Sequence, residues 1–193
     1  MVRKGKKRRP TSVTQCNASS EKAPLKLDLG CGKNKKEGFF GVDVEKFPGV
    51  DMVFDLTNPW PWEDESVDEI HCSHFIEHFD SVDRAHIVNE AYRVLKPGGK
   101  MTLIAPHCFS ERAYGDPSHK WPPVSSFWFF YLNKEWRDRE APHTNKFYKC
   151  NFRVTWGYSL NPGLEARNQE TQSFAVTWYV NSIMDIHATM TKV

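Results

Sequence analysis

A short hydrophobic run that ends in a glycine turn, residues 25–32, constrains the fold of this chain more than any other segment. Its three leucines alternate with polar residues, and Gly30-Cys31-Gly32 follows at once. The alternation is typical of a β-strand, and the glycines allow the backbone to approach a neighbouring group closely. In α/β sheets, a strand that ends in a glycine turn presents a ligand at its carboxyl end.

The rest of the chain predicts further strands beside this one. They are expected at residues 39–44, 50–55, 67–73, 100–105, 152–158 and 186–190. Apolar residues at helical spacing predict a helix that begins at Asp80 or Ser81 and stops at Pro97-Gly98-Gly99. Residues 171–183 fit helical spacing but also alternate. Because a parallel crossover needs a dozen or more residues, the first crossover helix is expected to be missing or a single turn.

Charge and composition divide the chain into a tail and one domain. Residues 1–22 hold seven of the 26 lysine and arginine residues but a single glutamate, and they lack any apolar period. We interpret residues 1–23 as a disordered basic tail and residues 24–193 as one domain, in which residues 107–149 form a substrate lid or insertion. The tail is interpreted as solubilising; the alternatives are a nucleic-acid arm through residues 3–9 and a targeting arm.

Cysteine usage and hydropathy indicate a cytoplasmic location. The five cysteines are odd in number and scattered, without a CxxC pair, which favours reduced thiols over a disulfide framework. The basic start lacks the apolar run of a signal peptide, and no apolar segment of 18 residues exists. The sequence therefore predicts a cytoplasmic protein with no membrane partner.

Polar residues stand at the ends of the first four predicted strands. Gly30-Cys31-Gly32, Asp43, Asp55 and Ser73-His74 end them in order. Because parallel strands end at one edge of a sheet, these residues can surround one ligand. An ionised carboxylate at Asp43 can accept bonds from two ribose hydroxyls, and Asp55 beside apolar Leu56 suits a purine and its amine.

The order and spacing of these segments resemble the class I S-adenosylmethionine-dependent methyltransferases, in particular the small type-11-like group seen in bacteria and phages. The resemblance covers about residues 25–107. It rests on Leu27-Asp-Leu-Gly-Cys-Gly32, Gly41-Val-Asp43, Asp55-Leu56, Trp60-Pro-Trp-Glu-Asp-Glu-Ser-Val-Asp68, Ser73-His-Phe-Ile-Glu-His78 and Arg93-Val-Leu-Lys-Pro-Gly-Gly99. The third glycine usual in the family's loop is replaced by Asn34.

The resemblance implies a Rossmann-like, mostly parallel sheet of seven strands whose last strand is antiparallel. It implies S-adenosyl-L-methionine as cofactor, with the glycine loop under its methionine part, Asp43 on the ribose and Asp55-Leu56 at the adenine. The cofactor-binding residues are predicted to be the following: Asp28, Gly30, Cys31, Gly32, Asp43, Val44, Asp55, Leu56, Ser73 and His74.

Two other cofactor classes fit the sequence less well. A dinucleotide-binding GxGxxG loop needs glycine where Lys35 stands. The cluster His71, His74, Glu77 and His78 suggests a metal, but it is not an HExxH motif and His71 alternates to the other side of its strand from Cys72. No metal is predicted.

The acceptor side is expected after the fifth strand. A hydroxyl acceptor needs a base, and histidine is the natural base near neutral pH. His107 follows that strand, and Asp116 and His119 lie on the next loop, where the family carries a similar Asp-Pro-x-His. We predict these three as catalytic residues; fixing the loop by hydrogen bonds is their alternative role.

The sequence therefore predicts a methyltransferase that acts on an O or N nucleophile of an unidentified acceptor, with a small molecule favoured. Two alternatives stay open: a nucleic-acid methyltransferase that uses the basic tail, and a non-catalytic S-adenosylmethionine-binding module. Because crossover helices are short or absent, aromatic residues 121–136 or the second subunit of a homodimer are expected to cover a sheet face left bare.

Overall fold

The computed structural model describes residues 23–193, so the predicted basic tail and Cys16 lie outside the described part, apart from residue 23. Seven strands form one sheet in the order β3-β2-β1-β4-β5-β7-β6. The strands are β1 Lys26–Leu29, β2 Phe40–Asp43, β3 Met52–Val53, β4 Val67–Ser73, β5 Leu95–Pro106, β6 Phe152–Leu160 and β7 Ile183–Lys192. Strands β1 to β5 are parallel, and β7 is antiparallel to both β5 and β6. The predicted α/β sheet with an antiparallel last strand is confirmed.

Helices are few and mostly short. They are α1 Ser81–Val94, α2 Arg112–Gly115, α3 Lys134–Glu140, α4 Pro162–Glu165 and α5 Gln169–Trp178, with 3₁₀ turns at Ile76–His78, Ser126–Leu132 and Pro142–Lys146. None of the described helices lies between β1 and β4, which confirms that the first crossover helix is missing. Among residues 23–193, no helix has the length and apolar character needed to cross a membrane.

Helix α1 begins where its sequence predicts and ends earlier. The carboxylate of Asp80 accepts hydrogen bonds from the backbone N–H groups of Val82 and Asp83, which caps the first turn. The helix ends at Val94, because Leu95 is extended, fully buried and paired with Val67 of β4. The predicted stop at 97–99 therefore lies in the first part of β5 rather than after the helix.

The two faces of the sheet differ in character. The strand register places Leu27, Ile70, Met101 and Met190 on one face, where they join a core with α1 and the 3₁₀ turn 126–132. The opposite face carries polar residues: Asp28, His71, Thr102, Thr189 and Thr155. The aromatic segment thus packs on the same apolar face as α1, and the expectation that it covers a bare opposite face is wrong.

Candidate functional site

The glycine turn after β1 brings the backbone against an aromatic ring. Gly30 and Gly32 have positive φ angles of 62° and 50°. A Cβ built at Gly30 would lie 2.1 Å from Cδ2 of Phe75, whereas a Cβ at Gly32 would meet nothing within 4 Å. The close approach that the sequence predicts is therefore made at Gly30 by the ring of Phe75. Gly32 instead borders open space.

Asp43 joins this turn to the end of β2. Its Oδ2 accepts the Gly32 N–H at 2.8 Å, and its Oδ1 accepts the Glu45 N–H at 2.9 Å. Each carboxylate oxygen has a second lone pair, and Asp43 is half-buried, so the group can accept further bonds from a ligand. The two sequence segments predicted to bind one ligand are thus in direct contact.

Asp28 and Cys31 turn their side chains inward. Asp28 is buried and accepts the Lys36 N–H at 2.7 Å, and its burial raises the pKa of its carboxyl. Cys31 is also buried, which raises the pKa of its thiol to about 11. Both side chains pack within the glycine loop, so their predicted cofactor-binding role rests on the backbone and on the position of the loop.

Of the two residues predicted at the adenine, Asp55 and Leu56, only Asp55 is exposed beyond β3, and Val44, another predicted cofactor-binding residue, is exposed after β2. Asp55 is exposed, and its Oδ1 accepts bonds from the Thr57 N–H and hydroxyl, which lower the pKa of the Asp55 carboxyl. Val44 is 65% exposed, whereas the side chain of Leu56 packs in the core. Only Val44 and Asp55 therefore offer side chains at this edge.

A cavity of about 780 Å³ opens beyond β4 and β5; we call it the β4–β5 cavity. It is lined by His74, Glu77, His78, Pro106, Glu111, Arg112, Gly115, Asp116, Pro117 and His119. His74 directly follows Ser73, the last residue of β4, and its Nδ1 lies 3.3 Å from Oε1 of Glu77. The hydrogen bond to Glu77 raises the pKa of His74. The cavity thus borders one predicted cofactor residue.

Two of the three predicted catalytic residues line this cavity. Oδ2 of Asp116 lies 3.9 Å from Nε2 of His119, and Oδ1 of Asp116 accepts the N–H and hydroxyl of Ser118. These two bonds from Ser118 lower the pKa of Asp116. The ring centroids of His119 and His78 are 5.0 Å apart. Asp116 and His119 therefore lie together with two further histidines of the cavity.

His107 lies in a different cavity from Asp116 and His119. It is buried, its ring contacts Phe109 and Tyr158, and it lines a space of about 310 Å³ with Val176 and Ile183. The backbone N–H of His107 donates to the backbone carbonyl of Met184 in β7 at 3.1 Å. The catalytic role of His107 stays a prediction, and this geometry separates it from the other two residues.

We expect His107 to lower the stability of the protein as the pH falls. Burial lowers its pKa, and its Nδ1 accepts the Phe109 N–H, which protonation would abolish. Its other polar neighbours are the Cys108 thiol and Tyr158. Because the folded pKa lies below the unfolded value of about 6.5, the free energy of unfolding decreases as pH falls below about 6.5. Denaturant unfolding from pH 7.5 to 5 should show a weaker decrease in His107→Gln; an equal decrease would contradict this.

Sequence reasoning missed three residues, one at the glycine turn and two at the β4–β5 cavity. Phe75 closes over Gly30, and Glu111 and Arg112 line the β4–β5 cavity, where Nη1 of Arg112 contacts both carboxylate oxygens of Asp185 at 2.9 Å. No local pattern marks Glu111 or Arg112, because they lie at the start of the four-residue helix α2, which is too short to show helical spacing. Phe75 was part of the recognised motif 73–78, but its partner could not be known before the strands were paired.

The chain resembles methyltransferases in both sequence and structure. Residues 34–103 match the family model described as a methyltransferase domain. An uncharacterized methyltransferase of Schizosaccharomyces pombe is 42% identical over 60 residues, which is 31% of this chain and 23% of the relative. An uncharacterized methyltransferase-like protein of the same organism is 33% identical over 96 residues, 40% of this chain and 36% of that protein. The chain thus matches only about a quarter to a third of these relatives.

Solved structures share the fold over most of their length. A SAM-dependent methyltransferase from Archaeoglobus fulgidus has a TM-score of 0.63 at 18% identity, covering 88% of this chain and 86% of that one. A SAM-dependent methyltransferase from Methanosarcina mazei has a TM-score of 0.54 at 14% sequence identity, and the match covers 88% of this chain and 92% of that one. Geranyl diphosphate C-methyltransferase from Streptomyces coelicolor has a TM-score of 0.50 at 16% sequence identity, and the match covers 89% of this chain and 73% of that one. That structure is a complex with Mg²⁺, geranyl diphosphate and S-adenosyl-L-homocysteine. These matches confirm the Rossmann-like fold expected from the sequence.

Proposed function

We propose that this chain, which has the fold of class I S-adenosylmethionine-dependent methyltransferases, transfers a methyl group from S-adenosyl-L-methionine to an O or N nucleophile of a small-molecule acceptor. The observation that carries the proposal is the contact between Gly32 and Asp43 at the carboxyl edge of the sheet. This contact brings a glycine loop and a carboxylate together at the sheet edge where β4 also ends, and His74, which follows β4, lines the β4–β5 cavity. The Streptomyces coelicolor relative holds S-adenosyl-L-homocysteine on the same fold, which supports this choice of cofactor.

The residues present fit an adenosyl ligand. Asp43 keeps free lone pairs for two ribose hydroxyls after its bonds to the Gly32 and Glu45 N–H groups. The space beside Gly32 admits a ligand against the backbone. Val44 offers an exposed apolar surface for a purine face, and Asp55 offers a carboxylate for the purine amine. Each of these groups lies at the carboxyl ends of β1, β2 and β3, which is where open α/β sheets bind ligands.

The chain's task in the reaction is positioning. When bound, S-adenosylmethionine would supply a methyl group on a positively charged sulfur. The sulfur is a good leaving group and needs no acid. The walls of the β4–β5 cavity would hold the acceptor in line and exclude water. A hydroxyl acceptor must lose a proton, and Asp116 and His119 line the cavity in which this proton would be released.

A labelling experiment tests the proposed acceptor class. The purified full chain is incubated with methyl-labelled S-adenosylmethionine and with small-molecule, nucleic-acid and protein fractions of a cell extract. We expect label in the small-molecule fraction together with S-adenosylhomocysteine. Label in the nucleic-acid fraction, lost when residues 1–10 are deleted, would instead support the tail-dependent alternative. Cofactor binding without product from any fraction would contradict catalysis.

Asp43→Asn should weaken cofactor binding strongly. The amide keeps one acceptor oxygen but loses the charge that strengthens the bonds to the ribose hydroxyls. Hydrogen bonds to charged groups contribute about 1.5–3 kcal/mol each, so affinity for S-adenosylhomocysteine should fall at least about 10-fold by calorimetry. Asp138→Asn, an exposed carboxylate bonded to Lys134 and Asn145, is the matched control and should bind normally. Equal affinity of the two variants would refute the role of Asp43.

A further inference from the structure

Three potential metal ligands meet in the β4–β5 cavity. One ligand atom each of Glu77, His78 and His119 lies within 4.8 Å of the other two. We propose that these three residues bind a divalent transition-metal ion, with Zn²⁺ as the best match to two imidazoles and one carboxylate. The site goes beyond the proposed function, because it neither requires the cofactor nor follows from the fold.

Glu77 supplies the first reason, because one of its two carboxylate oxygens lacks a partner; the other, Oε1, lies 3.3 Å from Nδ1 of His74. The residue is only 4% exposed, and its Oε2 is buried without a hydrogen-bond partner among the described residues. Arg84 is close but directs its guanidinium to the backbone carbonyls of Ile76, Glu77, Lys120 and Pro122. A buried carboxylate oxygen without a partner is costly, and a bound cation would remove that cost.

The two histidines are held in the orientation that ligands need. Nδ1 of His78 lies 3.0 Å from the Ser118 hydroxyl, which itself donates to Asp116 at 2.6 Å. Since that hydroxyl gives its proton to Asp116, His78 donates from Nδ1 and keeps a free lone pair on Nε2. Nδ1 of His119 faces Ala113 O at 3.4 Å in the same manner. Such second contacts are typical of metal-bound histidines, since they fix the tautomer and the ring.

The backbone brings the three side chains together from two segments. Glu77 and His78 lie on the 3₁₀ turn after β4, and the Lys120 N–H donates to Glu77 O at 2.9 Å, which fixes the loop that carries His119. Ligands of a tetrahedral zinc ion lie about 2.0–2.2 Å from the metal, so they are separated by roughly 3.5 Å. Small side-chain rotations would bring the three atoms to that separation.

The sequence predicted no metal from a different set of residues: His71, His74, Glu77 and His78. That set included His71, which the structure places on the polar face of the sheet beside Lys36, at 3.4 Å. The third ligand, His119, was assigned to catalysis. With three protein ligands, the ion keeps an open position toward the cavity for an oxygen of the acceptor, as catalytic zinc sites do. His119 would then act as a ligand rather than as a free base.

Metal binding is tested directly with the tag-free full chain. Zn²⁺ is titrated by calorimetry, Co²⁺ binding is followed by its visible absorption, and Mg²⁺ is titrated in parallel. We expect one Zn²⁺ per chain, a Co²⁺ spectrum of a four-coordinate nitrogen and oxygen site, and no comparable binding of Mg²⁺, which prefers oxygen ligands. His78→Ala and His119→Ala should each abolish the Co²⁺ spectrum, and Glu77→Gln should weaken Zn²⁺ binding.

Two further variants make the result decisive. Ser118→Ala removes only the group that orients His78, so it should reduce Zn²⁺ affinity by about 10–100-fold while the protein stays folded. His143→Ala removes an exposed histidine that does not line the β4–β5 cavity, and it should leave Zn²⁺ affinity and the Co²⁺ spectrum unchanged. Zn²⁺ binding that survives His78→Ala and His119→Ala, or no Zn²⁺ binding by the folded wild-type chain, would overturn the proposal. Both results are independent of methyl transfer, because no cofactor is present.

Discussion

Gly30→Ala is expected to destabilise the protein by about 2–5 kcal/mol. A side chain at φ +62° costs roughly 1–2 kcal/mol, because L-residues disfavour the left-handed region. The added methyl group would also lie 2.1 Å from Cδ2 of Phe75, and overpacking of this kind costs about 1–3 kcal/mol. Denaturant unfolding with an unchanged slope measures the difference in the free energy of unfolding.

Gly38→Ala is the matched control for this substitution. Gly38 also has a positive φ, 78°, but a Cβ there would meet nothing within 4 Å. Gly38→Ala should therefore show only the cost of the left-handed backbone conformation. The difference in the free energy of unfolding between the two variants then measures the clash with Phe75. Phe75→Leu in the Gly30→Ala background should recover part of the loss. Equal effects of Gly30→Ala and Gly38→Ala would show that the ring does not lie over Gly30.

The strands could be predicted because their signal is local. Alternating residues defined β1, the predicted bounds 67–73 match β4, and the missing crossover helix followed from the short distance between predicted strands. The end of α1 could not be predicted, because pairing of Leu95 with Val67 overrides a proline–glycine stop. The prediction of which face residues 121–136 cover was also wrong, because the side of the sheet on which they pack depends on tertiary contacts.

The site was predictable where it depends on strand ends and not where it depends on loops. The rule that parallel strands end at one edge correctly grouped Gly32 with Asp43. The same rule cannot position residues 107–149, in which hydrogen bonds set the path of the chain. His107 is bound to β7 and faces one cavity, whereas His119 is bound to the loop at Asp116 and faces another. The cluster around Glu77 depends on this loop path.

Arg84→Met should have the largest effect on the wall of the β4–β5 cavity. Arg84 is only 3% exposed, and its guanidinium donates to carbonyls on both sides of the cavity wall: Ile76 and Glu77 on the 3₁₀ turn, Lys120 and Pro122 on the loop. Methionine fills a similar volume but donates no hydrogen bond. Without Arg84, Ile76 O and Glu77 O keep the N–H groups of Phe79 and Lys120, whereas Lys120 O and Pro122 O lose their hydrogen bond. Because hydrogen bonds to charged groups contribute about 1.5–3 kcal/mol each, we expect a loss of about 3–5 kcal/mol in the free energy of unfolding.

The same substitution should also free the loop that carries His119. Hydrogen exchange of residues 117–123 should become faster in Arg84→Met than in the wild type at equal distance from the unfolding midpoint, because the loop loses two of its attachments to Arg84. Arg139→Met, which removes an exposed guanidinium paired with Glu140, should cost less than about 0.5 kcal/mol and leave the loop unchanged. If Arg84→Met lowers stability without faster exchange in this loop, Arg84 stabilises the core but does not position His119.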